Sequence, residues 1–469
     1  MTVLYTIGIL FYSLGVRIAA LFGNVKAMQW VKGRKHRLAE PPAQPSDAWI
    51  WFHAASLGEF EQGRPVIEAL KQEFPQYKIL LSFFSPSGYE VRKDYPLADE
   101  VLYLPSDTPS HAAQWVKRHH FVAAFFIKYE FWFNYMRALK DAGIPLFYIS
   151  LILKPDSYFF RWYGVWFREQ LKSVRHFFVQ DDATAQLLQT HGMKNVTVCG
   201  DTRFDRVAAI ARHAKPFPEV EQFIGGRRCI IAGSTWPPDE KLLERVFSQC
   251  PDDYCFIVAP HDISASHVAQ VQALFPDSQL YTQLDPQKQS KVLIVNTIGI
   301  LSQLYQYARF VYIGGGFGAN IHNIQEPVTF GCPVVFGPKY KSFKEAVDLV
   351  ALEGAFSVGD EAELAKVFMR LIDDEAFYSK ASETCRNYLK AQVGATESII
   401  KGFKRHFFNK KKAFFLDCCF YCLILKADFP LRFSQVKKQC LCKTIPTPLH
   451  FPVSALARVT SMASVTRSC

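Results

Sequence analysis

The chain has 469 residues, of which 49% are hydrophobic and 15% aromatic, so a disordered or fibrous protein is excluded and two or three domains with their own cores are expected. Its formal net charge of +11 favours anionic partners: a nucleic acid, an anionic membrane surface or a phosphorylated substrate. The sequence contains no zinc-finger spacing, RNA-binding aromatic motif or basic-region helix, which ranks nucleic acid last among these partners.

The first 22 residues predict a helix with one apolar stripe, formed by Leu4, Ile7, Phe11, Leu14, Ile18 and Leu21. Arg17 interrupts this run, which is shorter than the ~20 residues that a spanning helix needs. No basic segment precedes the run and no small-residue cleavage site follows it, so we do not expect a signal peptide. Because lysines and arginines crowd residues 26–37, we predict that 1–45 lies on an anionic inner leaflet. The alternative is a helix packed on its own domain.

Residues 46–213 alternate between apolar runs and helical spacing, which predicts a doubly wound parallel sheet. The predicted strands are 49–53, 77–84, 100–104, 121–127, 146–151, 176–180 and 195–199. Within this block, 158–172 predicts one aromatic-rich amphipathic helix.

Residues 214–227 contain two prolines and two glycines and predict an interdomain linker. A second alternating block, 228–393, follows it, with predicted strands at 229–233, 254–259, 291–295, 309–313 and 333–336. The two blocks predict two Rossmann-like α/β domains that face each other across a substrate cleft.

Six cysteines are scattered singly through the two blocks, which is typical of reduced core cysteines in a cytosolic protein. The other six lie in 409–469, where the alternating pattern stops. We predict that this segment is a poorly ordered, dispensable tail and not a third domain; the alternative is a functional appended segment. The pair Cys419 and Cys422 has no His or Asp at ligand spacing, so we expect no metal site there.

The strongest local signal is the segment His53–Pro65. An apolar strand precedes it and helical spacing follows it, so Glu59 is predicted at a strand-to-helix turn, where open α/β sheets bind ligands. Gly58 allows close backbone approach. A carboxylate at a helix N-terminus is favoured in its ionised form and suits a general base. The alternative is an ordinary charge at a helix end.

Loops of the second block predict one binding rim. The segment Gly314–Gly318 lacks the acidic residue of a dinucleotide fingerprint, and we interpret it as backbone that offers amides to an anion. Asn323 is predicted to cap a helix ending at Gly331, and Glu326 to accept hydrogen bonds from a ribose; ordinary capping is the alternative. Pro260-His261 and Thr297-Ile-Gly299 end other strands on the same face.

Together these motifs resemble the 3-deoxy-D-manno-octulosonic acid (Kdo) transferases of lipopolysaccharide assembly, over residues 1–408. The resemblance implies a GT-B fold at the cytoplasmic face of the inner membrane, with 394–408 as a helix that crosses back to the first domain. It also implies transfer of Kdo from CMP-Kdo to a lipid A precursor (lipid IVA), with no metal and no cofactor. His53-Ala-Ala-Ser-x-Gly-Glu59 matches the catalytic loop of the family, in which the Glu is the proton acceptor.

The resemblance assigns further residues. Glu130, within Tyr129-Glu-Phe-Trp132, matches a Glu that supports the transition state, and Arg203 stands where the family usually has Lys. The residues that match CMP-binding segments are Pro260, His261, Ile298, Gly299, Ile300, Asn323, Ile324, Gln325 and Glu326. His261 replaces an expected Arg, Ile300 replaces a common Glu, and 150–157 keeps only part of a family pattern, so the details of the donor and acceptor contacts stay open.

Two other functions fit the same architecture. One is a GT-B enzyme that uses a UDP-sugar, and the other is a membrane-associated GT-B protein that binds its ligands without catalysis. The intact Ser-x-Gly-Glu and Asn-x-x-Glu-Pro segments favour an active Kdo transferase over a binding protein.

Overall fold

The computed structural model describes residues 1–34, 47–285 and 287–407, and Met1–His406 form one compact unit. The predicted tail, 409–469, lies outside the described residues. Within the described part of the chain, the first sheet has seven parallel strands: β1 (Trp49–Ala54), β2 (Lys78–Phe83), β3 (Glu100–Tyr103), β4 (Phe121–Ile127), β5 (Leu146–Leu151), β6 (His176–Val179) and β7 (Val196–Val198).

Helices precede this sheet and cover both of its faces. They are α1 (Thr2–Leu21), α2 (Val25–Arg34), α3 (Leu57–Glu73), α4 (Pro86–Arg92), α5 (Pro109–Arg118), α6 (Phe133–Asp141), α7 (Val165–Leu171), α8 (Asp182–Thr190) and α9 (Thr202–Arg212). Since helices cover both faces, the central strands are apolar on both sides. Strand β1 is buried along its whole length, and its Phe52 stacks on Phe125 of β4 at 4.8 Å between ring centroids.

The second sheet follows α10 (Pro218–Ile224) and, over the residues described, also has seven parallel strands. These are β8 (Arg228–Thr235), β9 (Tyr254–Pro260), β10 (Gln279–Leu280), β11 (Val292–Ile294), β12 (Ala308–Ile313), β13 (Val334–Phe336) and β14 (Ala355–Ser357). Its helices are α11 (Pro237–Phe247), α12 (Ala265–Leu274), α13 (Leu301–Leu304), α14 (Gln325–Thr329), α15 (Lys344–Ala351), α16 (Glu361–Asp373) and α17 (Glu375–Gln392).

Strand order locates the binding edge of each sheet. The first sheet has the order β3-β2-β1-β4-β5-β6-β7 and the second β10-β11-β9-β8-β12-β13-β14. The chain therefore changes direction between β1 and β4, and between β8 and β12, and such switch points are where doubly wound sheets bind ligands. The predicted α/β class with two Rossmann-like sheets is confirmed; β10 and β14, two and three residues long, were not predicted.

The single helix predicted for 158–172 was wrong. The segment forms two short 3₁₀ turns, Tyr158–Phe160 and Trp162–Gly164, and only then α7. The first turn buries Phe159, and the side chain of Arg168 donates to the carbonyl oxygen of Phe159 at 2.5 Å. Because this carbonyl oxygen accepts a hydrogen bond from a side chain, it does not need a backbone N–H donor from a helix, and the backbone can leave helical geometry here.

The predicted linker, 214–227, is not continuous loop, because it contains α10. Pro218 occupies the first turn of α10, and Gly225 ends it in the left-handed conformation, with φ 56°. Proline inside the start and glycine past the end are helix signals. The sequence interpretation took both residues as loop signals.

Helix α1 packs on the first domain by one face and exposes the other. Tyr5 donates to buried Asp107 at 2.6 Å, and Ser13 contacts Ser106 at 3.0 Å. The predicted apolar stripe faces outward: Phe11 is 69% exposed and Leu21 87%. The prediction that the run is too short to span was wrong, because the helix continues through its one arginine and its 20 residues are long and apolar enough to cross a membrane.

Helical residues 395–406 cross back onto the first sheet. Phe403 packs against Phe125 and Phe147 at 5.2 and 5.3 Å between ring centroids. At the end of this helix, His406 stacks on His176 of β6 at 4.0 Å. Burial, and after it the nearby His406, lower the pKa of His176 from 6.5 to about 4, so His176 is neutral in the folded protein at neutral pH.

Acidification should therefore weaken this contact. The unfolded chain binds a proton at His176 near pH 6.5 and the folded chain only near pH 4, so stability present at neutral pH is lost as the pH falls across that window. Between pH 7.5 and 5 the melting temperature of His176→Gln should fall less than that of the unmodified protein. The exposed His213→Gln is the control, and an equal fall in all three proteins would contradict the prediction.

Candidate active site

Glu59 is the third residue of α3 and lies directly after β1 at the switch point of the first sheet. Its Oε2 accepts hydrogen bonds from the backbone N–H of Ser56 at 3.0 Å and from the Ser56 hydroxyl. Ser56 in turn caps α3, so the two residues form a capping box. Glu59 thus has a structural role, as the alternative interpretation expected. Both contacts use Oε2, which leaves Oε1 outside the cap.

A chain of hydrogen bonds fixes Glu130, which is buried beyond the end of β4. Its Oε2 accepts from Trp132 Nε1 at 2.7 Å and lies 3.2 Å from Nε2 of the fully buried His53. His53 Nδ1 lies 2.8 Å from Ser82 Oγ, which accepts from Trp51 Nε1 at 2.7 Å. The Ser82 hydroxyl can therefore donate to Nδ1, and Nε2–H of His53 then points at the carboxylate.

Lys128, which the sequence analysis missed, directly follows the last residue of β4 and has Glu59 among its charged neighbours. Its φ of 63° is in the left-handed region, which is costly for a residue with a side chain. Burial lowers the pKa of Lys128 and neighbouring Arg203 lowers it further, while Asp201, Glu59 and Glu345 raise it. We call these five residues the charged cluster. Glu59 was predicted from its position at the turn that follows a buried strand. The same criterion would have identified Lys128 as well.

Arg203 joins the two domains. Its guanidinium lies 2.6 Å from Oδ2 of Asp201 and 3.7 Å from Oε1 of Glu345 in α15. The same Glu345 oxygen accepts from Gln325 Nε2 at 3.0 Å. Two contacts therefore connect Arg203 to the segment predicted to bind CMP. Nothing in the local sequence around Glu345 had singled it out.

The residues on either side of Arg203 hold α9 in place. Thr202 donates to the carbonyl oxygen of Gln62 in α3 at 2.5 Å and lies 3.0 Å from Ser150 Oγ in β5. Asp205 accepts from two backbone N–H groups at the start of helical residues 395–406, each at 2.6 Å. Arg203 is thus presented to the cleft by a helix that is fixed at several points.

The glycines of the segment 314–318 serve packing, and part of the backbone predicted to offer amides to an anion is already hydrogen-bonded. The amides of Gly314, Gly315 and Gly318 already donate at 2.9 Å within the protein, to Gly233 O, Asp239 Oδ2 and Gly315 O respectively. Three of the amides offered to an anion are therefore occupied. The first glycine has no room for a side chain, because a Cβ there would lie 2.3 Å from a backbone oxygen.

The rings of Trp236, His261 and His322 form a ring stack at the switch point of the second sheet. Trp236, just after β8, donates from Nε1 to Nε2 of His322 at 2.9 Å, and their planes differ by 19°. His261, after β9, stacks on Trp236 at 4.7 Å and on His322 at 4.4 Å. Burial lowers the pKa of His322, and His261 lowers it further. Of these three rings, only that of His261 was predicted from the sequence to lie at this rim.

The remaining predicted CMP-binding residues lie at the same edge. Asn323 Oδ1 accepts from the amide of Gln325 at 2.9 Å, and Asn323 Nδ2 donates to Glu326 Oε1 at 3.2 Å. Burial raises the pKa of Glu326, whereas Arg206 and Asn323 lower it. Ile324 is buried beneath them.

Pro260 ends β9, and the segment Ile298–Ile300 follows its neighbour β11. Because the strands are parallel, these residues share the sheet edge with Asn323. Ile298 is 81% exposed and Gly299 has a φ of 96°. The structure therefore places all nine residues at one edge, although the ring stack contains only His261 of them.

The fold and this arrangement define a class. Solved structures of UDP-N-acetylglucosamine 2-epimerases have the same two-domain fold: the enzyme from Neisseria meningitidis matches at 14% identity with a TM-score of 0.55, over 76% of this chain and all of its own. A putative epimerase from Listeria monocytogenes matches at 12% and 0.54, over 77% and 97%. The chain is a GT-B protein.

Sequence comparison shows which named proteins this chain resembles. Residues 32–206 match the family model for 3-deoxy-D-manno-octulosonic-acid transferase (kdotransferase). The transferase of Aquifex aeolicus is 26% identical over 69% of this chain and 86% of its own length, and that of Bordetella pertussis 26% identical over 77% and 88%. The predicted resemblance is confirmed: over most of its length the chain is similar to 3-deoxy-D-manno-octulosonic acid transferases.

The packing role of the glycine segment is testable with two alanine substitutions. Gly314→Ala places a methyl group 2.3 Å from Ser234 O and 2.6 Å from Thr235 Cα, so overpacking should lower the free energy of unfolding by about 1–3 kcal/mol. Gly318→Ala is the matched control, because its Cβ meets its nearest atom at 3.4 Å. Denaturant unfolding measures both, and equal stability would refute the packing explanation.

Proposed function

We propose that this protein transfers Kdo from CMP-Kdo to a lipid A precursor, lipid IVA, with inversion at the anomeric carbon. The observation that carries the proposal is the charged cluster at the first switch point, where Glu59 lies near Lys128 and Arg203, with Glu130 just beyond the end of β4. The similarity to named Kdo transferases along most of their length supports the same reaction.

In this proposal Glu59 is the general base. The acceptor hydroxyl gives its proton to the carboxylate as its oxygen attacks the anomeric carbon from the face opposite CMP. Oε1 lies outside the capping box and can receive that proton without dismantling the helix start. Glu130 is held rigidly by Trp132 and His53, so its charge is fixed where positive character develops on the sugar.

The cations of the charged cluster have the complementary role. CMP leaves with growing negative charge on its phosphate, and Kdo itself carries a carboxylate. Lys128 and Arg203 supply positive charge on the cleft side of the first domain, and burial strengthens their effect. The CMP moiety binds to the facing domain. There it contacts the ring stack, together with Asn323 and Glu326.

The proposal assigns no resident metal and no cofactor, and turnover should persist in EDTA. It also places the protein at the cytoplasmic face of the inner membrane, on the anionic surface that its acceptor occupies. The outward stripe of α1, together with the lysines of α2, supports that location.

The base assignment is tested by comparing two neighbouring glutamates. Glu59→Gln keeps the capping box, since Gln is accepted at that position, but removes basicity. General-base catalysis contributes about 10²–10⁴-fold, so turnover should fall by that order. Glu61→Gln is the control, because Glu61 points to Arg92 and Arg206, each at 2.7–2.8 Å. Near-normal turnover in Glu59→Gln, or an equal loss in both, would overturn the role of Glu59.

The donor is tested in the same proteins by thermal protection. CMP should raise the melting temperature more than UDP does, equally in the unmodified protein and in Glu59→Gln, because the nucleotide is proposed to bind the other domain. Stronger protection by UDP would favour a UDP-sugar enzyme. Protection by CMP with no turnover in the unmodified protein would favour a binding protein.

The membrane location is tested on the outward face of α1. Leu4 and Phe11 are 65% and 69% exposed, so Leu4→Glu with Phe11→Glu should leave the fold intact and move the protein from the membrane fraction to the soluble one. Val91→Glu with Leu352→Glu adds the same charge at positions 55% and 53% exposed and should leave fractionation unchanged. Membrane retention of the α1 variant would argue against this anchor.

A further inference from the structure

A second cavity lies away from the cleft, between α1, α2 and the loop that follows β3. It has a volume of about 720 Å³. Four basic side chains line it, those of Arg17, Lys32, Arg34 and His111, and none of the described residues around it is acidic. A cavity with positive charge and no carboxylate is electrostatically suited to an anion.

Arg34 points the same way, because its partly buried guanidinium has no acidic partner among the described residues. Its guanidinium lies 3.9 Å from the ring centroid of Trp30 and 4.8 Å from that of Phe84, and its nitrogens donate to backbone carbonyl oxygens, those of Leu104 and Phe84 at 2.8 and 2.7 Å. Burial lowers the pKa of Arg34 to about 9. An anion in the adjoining cavity would offset the cost of burying this cation.

Apart from Ser106, the rest of the lining is apolar, which limits what the anion can be. Leu21, Met28 and Trp30 contribute to the wall. Leu21 is 87% and Met28 44% exposed, and the outward stripe of α1 continues from them. A free inorganic ion has no use for such a wall, whereas an amphiphile with an anionic head and an acyl chain matches both parts.

The cavity is also connected to the candidate active site through one aromatic ring. Phe84, whose ring faces the guanidinium of Arg34, lies 4.6 Å from Trp132 between ring centroids. Trp132 is the residue that donates to Glu130 at 2.7 Å. An occupant of the cavity is therefore separated from the hydrogen-bond network of Glu130 by Arg34 and by Phe84, whose ring is tilted 33° against that of Trp132.

We propose that this cavity binds the phosphate head group of a membrane lipid, with the phosphate among Arg17, Lys32 and His111 and an acyl chain along Leu21, Met28 and Trp30. The site is separate from the CMP rim and does not depend on the identity of the transferred sugar. The lipid is either an anionic phospholipid of the membrane or a phosphorylated acceptor, since both present the same chemistry to the cavity.

Binding of a water-soluble lipid to the full-length protein tests the site without requiring turnover. Dihexanoylphosphatidic acid should bind more tightly than dihexanoylphosphatidylcholine and more tightly than inorganic phosphate. Arg17→Gln with Lys32→Gln should weaken phosphatidic acid at least about tenfold, as expected for the loss of charge-assisted hydrogen bonds. Lys26→Gln with Lys140→Gln removes the same charge from exposed positions outside the lining and should have little effect.

Three results would overturn the proposal: equal binding of the two lipids, equal binding of inorganic phosphate, or an equal loss in both double variants, which would indicate only diffuse basic charge. The source of the lipid follows from a second measurement on active protein. Competition by phosphatidic acid that raises the KM for the acceptor at constant kcat identifies the acceptor as the natural occupant. Unchanged KM, with tighter binding to phosphatidate vesicles than to phosphatidylcholine vesicles, identifies membrane phospholipid.

Discussion

The start of α9 is the constraint on which the geometry of the protein depends. Thr202 fixes this helix to the first domain, Arg203 reaches Glu345 of the second, and Asp205 caps the helical residues 395–406 that return to the first sheet. A short segment thereby sets the relation between the two domains and the closing helix. The same residues orient Arg203 in the cleft, so stability and the proposed chemistry rely on one set of contacts, and a change at Asp205 should disturb both.

The two candidate carboxylates are held in different ways, and the difference suits their proposed roles. Glu130 is buried and its Oε2 contacts two nitrogens, Trp132 Nε1 and His53 Nε2, which fixes the position of the carboxyl group. Glu59 is only partly buried, and its contacts come from one residue, Ser56, so it can take up a proton with little rearrangement. Lys128, whose backbone is strained, has Glu59 among its charged neighbours, and strain of this kind is tolerated where surrounding structure enforces it.

Helix α1 has two faces, which match the two interpretations that the sequence treated as alternatives. Tyr5 and Ser13 attach it to the first domain, while the stripe that includes Phe11 points outward. The helix can therefore lie at a membrane and remain a rigid part of the fold. The proposed lipid cavity forms where this helix meets α2, so an apolar anchor and a cationic lining occur side by side, which is the arrangement that a lipid head group and its acyl chain require.

The sequence by itself determined the parallel sheets, since runs such as Phe121–Ile127 are apolar on both faces, and it determined Glu59, since a charged residue after a buried strand must lie at the sheet edge. Local pattern was insufficient at two places: residues 158–172 form two 3₁₀ turns before α7, where Arg168 donates to the carbonyl oxygen of Phe159, and Asp239 occupies an amide of the glycine segment. The approach of Glu345 to the first domain, and the stacking of rings from separate loops, depend on how elements distant in sequence pack. Only the tertiary structure could reveal them, because local periodicity carries no information about which loops meet.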